Sequence, residues 1–335
     1  MIAPGCSELQ LPAVKPAEKS RFTTFWGAII LSLRGGYIMI DLKKLYEWCS
    51  IPSSQLIGNP EIKVPLRIVP DAQAVGEAMA RDFVDDIKLA NKEGRIYRAI
   101  VPCGPKDWYA PFKRMINTER VSLKNVVVFH MDENLDWEGK PLPEDDPSNF
   151  RTFMDRHFYN CIDNDLQVLH ENRHYLTPYN LCEISGMIEE NDIDYTLGGW
   201  GQDGHIAFNQ AIRNPYSHVT INDIRNSTAR VIENNMDTIL ALSHRSFGAA
   251  WQFMPPKAIT LGVKECMKAK KIRVYSATGA WKQTALRIAL FSDPIPEYPM
   301  TLLQEHSDAL ITASAETACH PFSENPDWKF RGVNA

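Results

Sequence analysis

LRIVPDAQAVGEAMARDFVDDIKLANKEGRIYRAIV, residues 66–101, carries two kinds of periodicity in a fixed order. LRIV (66–69) is a short β-branched run, and Asp71 is placed to cap a helix. Val75, Met79, Phe83 and Ile87 then recur every four residues, which predicts a helix with one apolar stripe. YRAIV (97–101) is a second strand candidate, so the unit predicts two parallel strands with the helix laid across them. The pattern continues in NVVVFH (125–130), YTLGG (195–199), IRVYS (272–276) and DALITA (308–313), most of them apolar enough for burial on both faces. The expected fold is α/β: a Rossmann-like, open, mostly parallel sheet with helices on both faces.

A length of 335 residues accommodates two average domains, or one large α/β domain with an added segment. Lys and Arg number 36 against 41 Asp and Glu, a net charge of −5, so no basic surplus points to nucleic acid. Seven cysteines, at 6, 49, 103, 161, 182, 266 and 319, form no C-x-x-C pair and are too sparse for a disulfide framework. A reduced, cytoplasmic protein is expected. His170 and His174 lie four apart without a third ligand, and no metal is expected.

Phe25–Leu33 (FWGAIILSL) follows Lys15, Lys19 and Arg21 as in a signal peptide, but is too short to span a bilayer. Arg34-Gly35-Gly36 comes next, without a small-x-small cleavage pattern; these codons can form the purine-rich run of a ribosome-binding site. Met39 is therefore the expected initiator, with residues 1–38 outside the native fold. Residues 39–64 form an expected N-terminal extension, 65–321 the main domain and 322–335 a C-terminal tail.

In open α/β sheets ligands bind at the carboxyl ends of the strands, and four of these ends carry chemistry. After 101 comes P-C-G-P-K-D, after 130 M-D-E-N, after 199 W-G-Q-D-G-H and after 276 A-T-G-A-W-K. One active site at one sheet edge is expected. In LGGWGQDGHIAFNQ (197–210), Gly198, Gly199 and Gly201 let backbone approach a ligand, and Asp203 with His205 can relay a proton. The structural alternative is a turn with Asp203 as a cap. Asp132 and Glu133 follow an apolar strand and face different ways; desolvation there raises a carboxylate pKa and makes a better base for a carbon-bound proton. In VPCGPKDWYAPF (101–112), Gly104 offers backbone access and Lys106 charge to an anion, while Pro105 removes one donor. Arg230 and Lys282 are unremarkable alone.

From about Pro65 to Pro321, roughly three quarters of its length, the chain resembles the glucosamine-6-phosphate deaminase/isomerase family. FHMDEN with DPSNFRTFMDRHFY resembles that family's MDEY loop and FM-x-R-x-F helix, and LGGWGQDGHIAFNQ resembles its GG-x-G-x-DGHIAFNE segment. PPKAITLGV (255–263) and MTLLQEHSDALI (300–311) resemble its later strands and closing unit. The resemblance implies that Asp132 moves a proton between C2 and C1 of the open-chain sugar and that Asp203 and His205 open the ring. It also implies that Arg230 (DIRNSTAR) and Lys282 (GAWKQTAL) grip the 6-phosphate. Two departures point to an altered substrate. The family's Thr-Gly-Gly-Thr-type turn reads Cys103-Gly104-Pro105-Lys106, where Lys106 compensates with charge for lost contacts. The Glu ending DGHIAFNE is Gln210, which can hydrogen-bond the imidazole but carries no charge.

The expected function is conversion of glucosamine 6-phosphate, or a related amino-sugar phosphate, to a ketose 6-phosphate with release of ammonia. It would need no cofactor, and a homo-oligomer without nucleic-acid or membrane partners is expected. The alternatives are an aldose–ketose isomerase for another sugar phosphate, a 6-phosphogluconolactonase-like hydrolase, and a sugar-phosphate-binding regulator without turnover. The hydrolase shares the DGH loop, and Pro147-Ser148-Asn149 resembles its P-x-SN pattern.

Overall fold

The computed structural model describes residues 40–211, 216, 219–325 and 327; the expectations for residues 1–38 lie outside the described residues, as does most of the tail. In chain order the described strands are β1 (Leu66–Val69), β2 (Tyr97–Val101), β3 (Val126–His130), β4 (Asp132–Leu135), β5 (Arg173–His174), β6 (Tyr195–Gly198), β7 (Arg230–Glu233), β8 (Lys257–Thr260), β9 (Lys271–Ser276) and β10 (Ala309–Ser314). Seven of them form one sheet in the order β1-β10-β9-β6-β2-β3-β5, with every pair parallel. The five strand candidates downstream of LRIV all lie in it.

The helices that cover the sheet or wall the site include α1 (Leu42–Cys49), α2 (Ala72–Glu93), α3 (Tyr109–Glu119), α4 (Phe150–Met154), α5 (Leu181–Glu190), α6 (Met236–Ser246) and α7 (Gln283–Phe291). Asp71 caps α2 by accepting the Ala74 N–H at 2.8 Å, and the stripe Val75, Met79, Phe83 and Ile87 is fully buried. Alternation along the strands divides the interior into two cores. Ala99, Val101, Val128 and Leu197 meet α2 and α3 on one face, while Ile100, Phe129, Ile272 and Val274 meet α5 and α7 on the other. Burial of each large apolar side chain contributes about 1.5–3 kcal/mol, so a sheet buried on both faces is a rigid platform for its loops.

One feature differs from the sequence reading. Residues 132–135, expected as a loop, form β4, which pairs antiparallel with β8; β8 in turn pairs with β7, giving a second, three-stranded sheet. DENL has no apolar alternation to announce a strand; pairing with KAIT of β8 stabilises it. His170 lies in a 3-10 turn and His174 on β5, stacked on Phe129 at 5.0 Å.

The extension packs on the α7 side. Trp48 of α1 stacks on Phe291 at 6.3 Å, and the buried Arg287 donates to the carbonyls of Ile51 and Ala318 at 3.1 and 2.7 Å. None of residues 40–64 lines the cavity described next.

Candidate active site

β9, β6, β2 and β3 are consecutive in the sheet, so their carboxyl-end loops meet. Together they enclose a cavity of about 180 Å³. Gly104 and Pro105 come from the loop after β2, Asp132 from β4, Gly199 and His205 from the loop after β6, and Thr278 and Lys282 from the loop after β9. The expected convergence is present. Phe150, Trp200, Phe208, Leu242 and Trp281 supply apolar wall that the sequence reading did not single out.

Asp132 and Glu133 face different ways because they alternate along β4. Asp132 lines the cavity, where burial, and then the neighbouring Glu133, raise its pKa to about 8. Glu133 turns away to the start of α4, accepting N–H groups of Phe150 and Arg151 at 2.8 and 2.7 Å. Burial raises it to about 7 against the pull of those donors. One carboxylate is free for chemistry and the other anchors the helix that walls the site.

Asp203 Oδ1 lies 2.7 Å from His205 Nδ1. Burial acts to raise the Asp203 pKa, but His205 and backbone N–H groups hold it below the usual carboxylate value. An ionised Asp203 fixes a proton on Nδ1 and leaves Nε2 as the reactive nitrogen. Gly201 makes room for this pair, since a Cβ there would lie 2.2 Å from the imidazole Cε1. Gly199 is similarly confined: its Cβ would meet Pro105 Cδ at 3.2 Å, so the turn at 104–105 closes directly onto it.

The cationic end differs from expectation. Lys282 is buried against the cavity, over the rings of Trp281 and Trp200 at 5.0 and 5.6 Å. Burial and then Arg245 lower its pKa to about 7, against the opposing pull of Asp203 and Asp107. Arg230 does not join it. It sits on β7, donates to the Thr228 carbonyl at 3.2 Å and faces Glu265, away from the residues lining the cavity. Arg245, near the end of α6, takes the place expected for Arg230; a helical arginine after an ordinary polar pair offered no signal in the sequence. Arg245→Ala is expected to raise KM for a sugar phosphate by about 10–100-fold, the loss of one charged hydrogen bond, and Arg230→Ala by less than about threefold. Steady-state kinetics on both variants checks this.

Cys103 and Lys106 also lie apart from this cavity: the Cys103 thiol is buried behind it, and Lys106 points over the Phe153 ring at 4.1 Å. Gln210 makes no hydrogen bond to His205. Its Oε1 accepts the Asn235 N–H at 2.7 Å, holding the start of α6, because that unpaired backbone donor competes for the amide oxygen. Gln210→Glu is therefore expected to change turnover by less than about threefold, since a carboxylate accepts the same N–H. A tenfold gain would show that position 210 communicates with the imidazole after all.

Among the described residues, no group of three His, Cys, Asp or Glu side chains is placed to hold a metal ion, and no helix is long and apolar enough to cross a membrane.

A desolvated carboxylate, an Asp–His pair and a buried lysine gathered at one cavity define an acid–base enzyme. No protein-family model matches the chain. Among curated proteins, it is 30% identical over 250 residues to a glucosamine-6-phosphate deaminase of Phocaeicola vulgatus, covering 73% of this chain and 89% of that one. With its counterpart from Aliivibrio fischeri strain MJ11, identity is 29% over 266 residues, with the same coverage. The chain belongs to the glucosamine-6-phosphate deaminase family. In fold it is similar to a monomeric glucosamine-6-phosphate deaminase, at 22% identity and a TM-score of 0.64, over 76% of this chain and 98% of that one. A 6-phosphogluconolactonase from Trypanosoma brucei shares the fold at 15% identity and a TM-score of 0.52, over 77% and 98%.

Proposed function

We propose that this protein converts glucosamine 6-phosphate, or a closely related amino-sugar 6-phosphate, to the ketose 6-phosphate and ammonia. The observation that carries the proposal is the single cavity lined by Asp132, by His205 with Asp203 behind it, and by Lys282 and Arg245. Lys282 and Arg245 hold the phosphate, with the exposed backbone at Gly104 beside them. His205 Nε2 takes the O1 proton as the C1–O5 bond breaks, and ring opening is complete when that proton reaches O5.

Asp132 then removes the proton from C2. The C2–H electrons form the C1–C2 double bond, and the aldehyde oxygen takes a proton given up by the substrate's C2 ammonium group, giving an enolamine. Return of the Asp132 proton to C1 leaves an iminium at C2, and water adds there to expel ammonia and form the ketone. The raised pKa of Asp132 suits a base for a weakly acidic C–H, since base strength grows with pKa. Ammonium release measured together with ketose 6-phosphate tests the proposal; equal amounts of both support it, and binding without either product contradicts it.

The pH profile follows from two groups. Asp132 must be deprotonated, so activity falls on the acid side of about pH 8; Lys282 must be protonated, so activity falls on the alkaline side of about pH 7. A narrow bell in kcat/KM centred between pH 7 and 8 is expected. Lys282→Arg should remove the alkaline limb, because a guanidinium stays charged.

Cytoplasmic location, a homo-oligomeric state and initiation at Met39 belong to the same proposal. The six described cysteines are free, which supports a reducing compartment. Light scattering and N-terminal mass spectrometry check the other two.

A further inference from the structure

Lys106 has no part in the inner cavity, yet it lines a second lobe. This outer lobe, of about 430 Å³, shares Gly104, Pro105, Phe150, Phe208, Leu242 and Arg245 with the inner cavity and therefore lies next to it. Ser148 and Asn134 add polar groups, while Phe247 and Met254 form an apolar wall. No Asp or Glu lines it, although acidic residues outnumber basic ones across the chain.

Both cations of the lobe are also without a carboxylate partner among the described residues. Lys106 is instead steadied over the Phe153 ring at 4.1 Å, and Arg245 lies over Trp281 at 5.8 Å. Aromatic faces hold the two charges in place without neutralising them. Arg245 is shared with the inner phosphate, so Lys106 is the cation that the outer lobe adds, and on a concave surface with hydroxyl and amide groups beside it, it suits an anion.

We propose that the outer lobe is a second anion subsite, which takes an anionic substituent carried on the sugar phosphate whose 6-phosphate lies in the inner cavity. The substituent is a phosphoryl or carboxylate group, and its hydrocarbon part lies along Phe247 and Met254. This rests on the inner cavity being a phosphate site. The preferred substrate is then larger and more acidic than glucosamine 6-phosphate itself.

Titration calorimetry on the full chain tests the subsite without requiring turnover. The probes are inorganic phosphate, pyrophosphate and tripolyphosphate, in which further charge lies one or two phosphoryl units from the first. Phosphate is expected to bind once per chain, and at least one of the longer probes to bind at least tenfold tighter, also once per chain. Lys106→Ala and the longer Lys106→Gln are both expected to lose most of that gain, while phosphate affinity changes less than threefold.

Equal affinity for all three probes, or a gain that survives in both variants, would overturn the subsite. Two independent phosphates per chain would mean that the lobe takes a free anion, which overturns the link to the substrate. An equal loss for phosphate and the longer probes would place Lys106 in the inner site and likewise overturn it. If phosphate itself fails to bind, the inner phosphate site fails first, and with it the proposed function.

Discussion

Asp132→Asn is expected to lower kcat for glucosamine 6-phosphate by about 10²–10⁴-fold, with KM changed less than about threefold. The amide has the shape of the carboxylate and cannot take the C2 proton. The substitution removes only the base, because the neighbouring carboxylate, Glu133, is committed to the N–H groups at the start of α4 and faces away from the cavity. Folding should not suffer, since a buried carboxylate with a raised pKa is replaced by a neutral group. Single-turnover kinetics with substrate deuterated at C2 separates this step from binding: the deuterated sugar should react more slowly in the native protein. A variant that keeps native turnover would remove Asp132 from the mechanism.

Gly201→Ala is expected to cost about 10²-fold in kcat while leaving the fold intact. The added Cβ would sit 2.2 Å from His205 Cε1, 2.3 Å from its Nδ1 and 2.6 Å from Asp203 Oδ1. These are ends of side chains rather than backbone, so the molecule relieves the overlap by turning the imidazole away from its carboxylate. A displacement of about 1 Å in a catalytic group is worth about 10²-fold. The proton-transfer pair is disturbed while Lys282 and Arg245 stay in place, so phosphate affinity should remain native. Turnover should fall without a matching fall in thermal midpoint; an equal loss of phosphate binding would instead point to collapse of the whole loop.

The parallel sheet was legible because its strands are buried on both faces, so that Tyr97–Val101, Val126–His130 and Lys271–Ser276 stand out as apolar runs. The second sheet was not. Asp132–Leu135 is polar, and its pairing with Lys257–Thr260 is a contact between residues more than 120 positions apart. The same separation of scales divides the site. Asp203 and His205 were found together because one short loop carries both, and the four loops were found because each follows its strand directly. Which arginine reaches the cavity depends on how β7 and α6 fold back on each other: Arg230 lies at the start of that unit and faces Glu265, while Arg245 lies at its far end and faces Lys282. Sequence position does not distinguish the two. Gln210 was misplaced for a related reason, because its competing partner, the Asn235 N–H, exists only once α6 has docked.

The central claim is that Asp132 exchanges the C2 proton of a sugar bound through Lys282 and Arg245. Proton NMR of glucosamine 6-phosphate with the protein in heavy water tests it most directly, with galactosamine 6-phosphate as comparison. The expected result is loss of the substrate's C2 proton signal together with released ammonium, and neither in Asp132→Asn. A C2 proton that persists unchanged, with no ammonium, while the phosphate is demonstrably bound would contradict it.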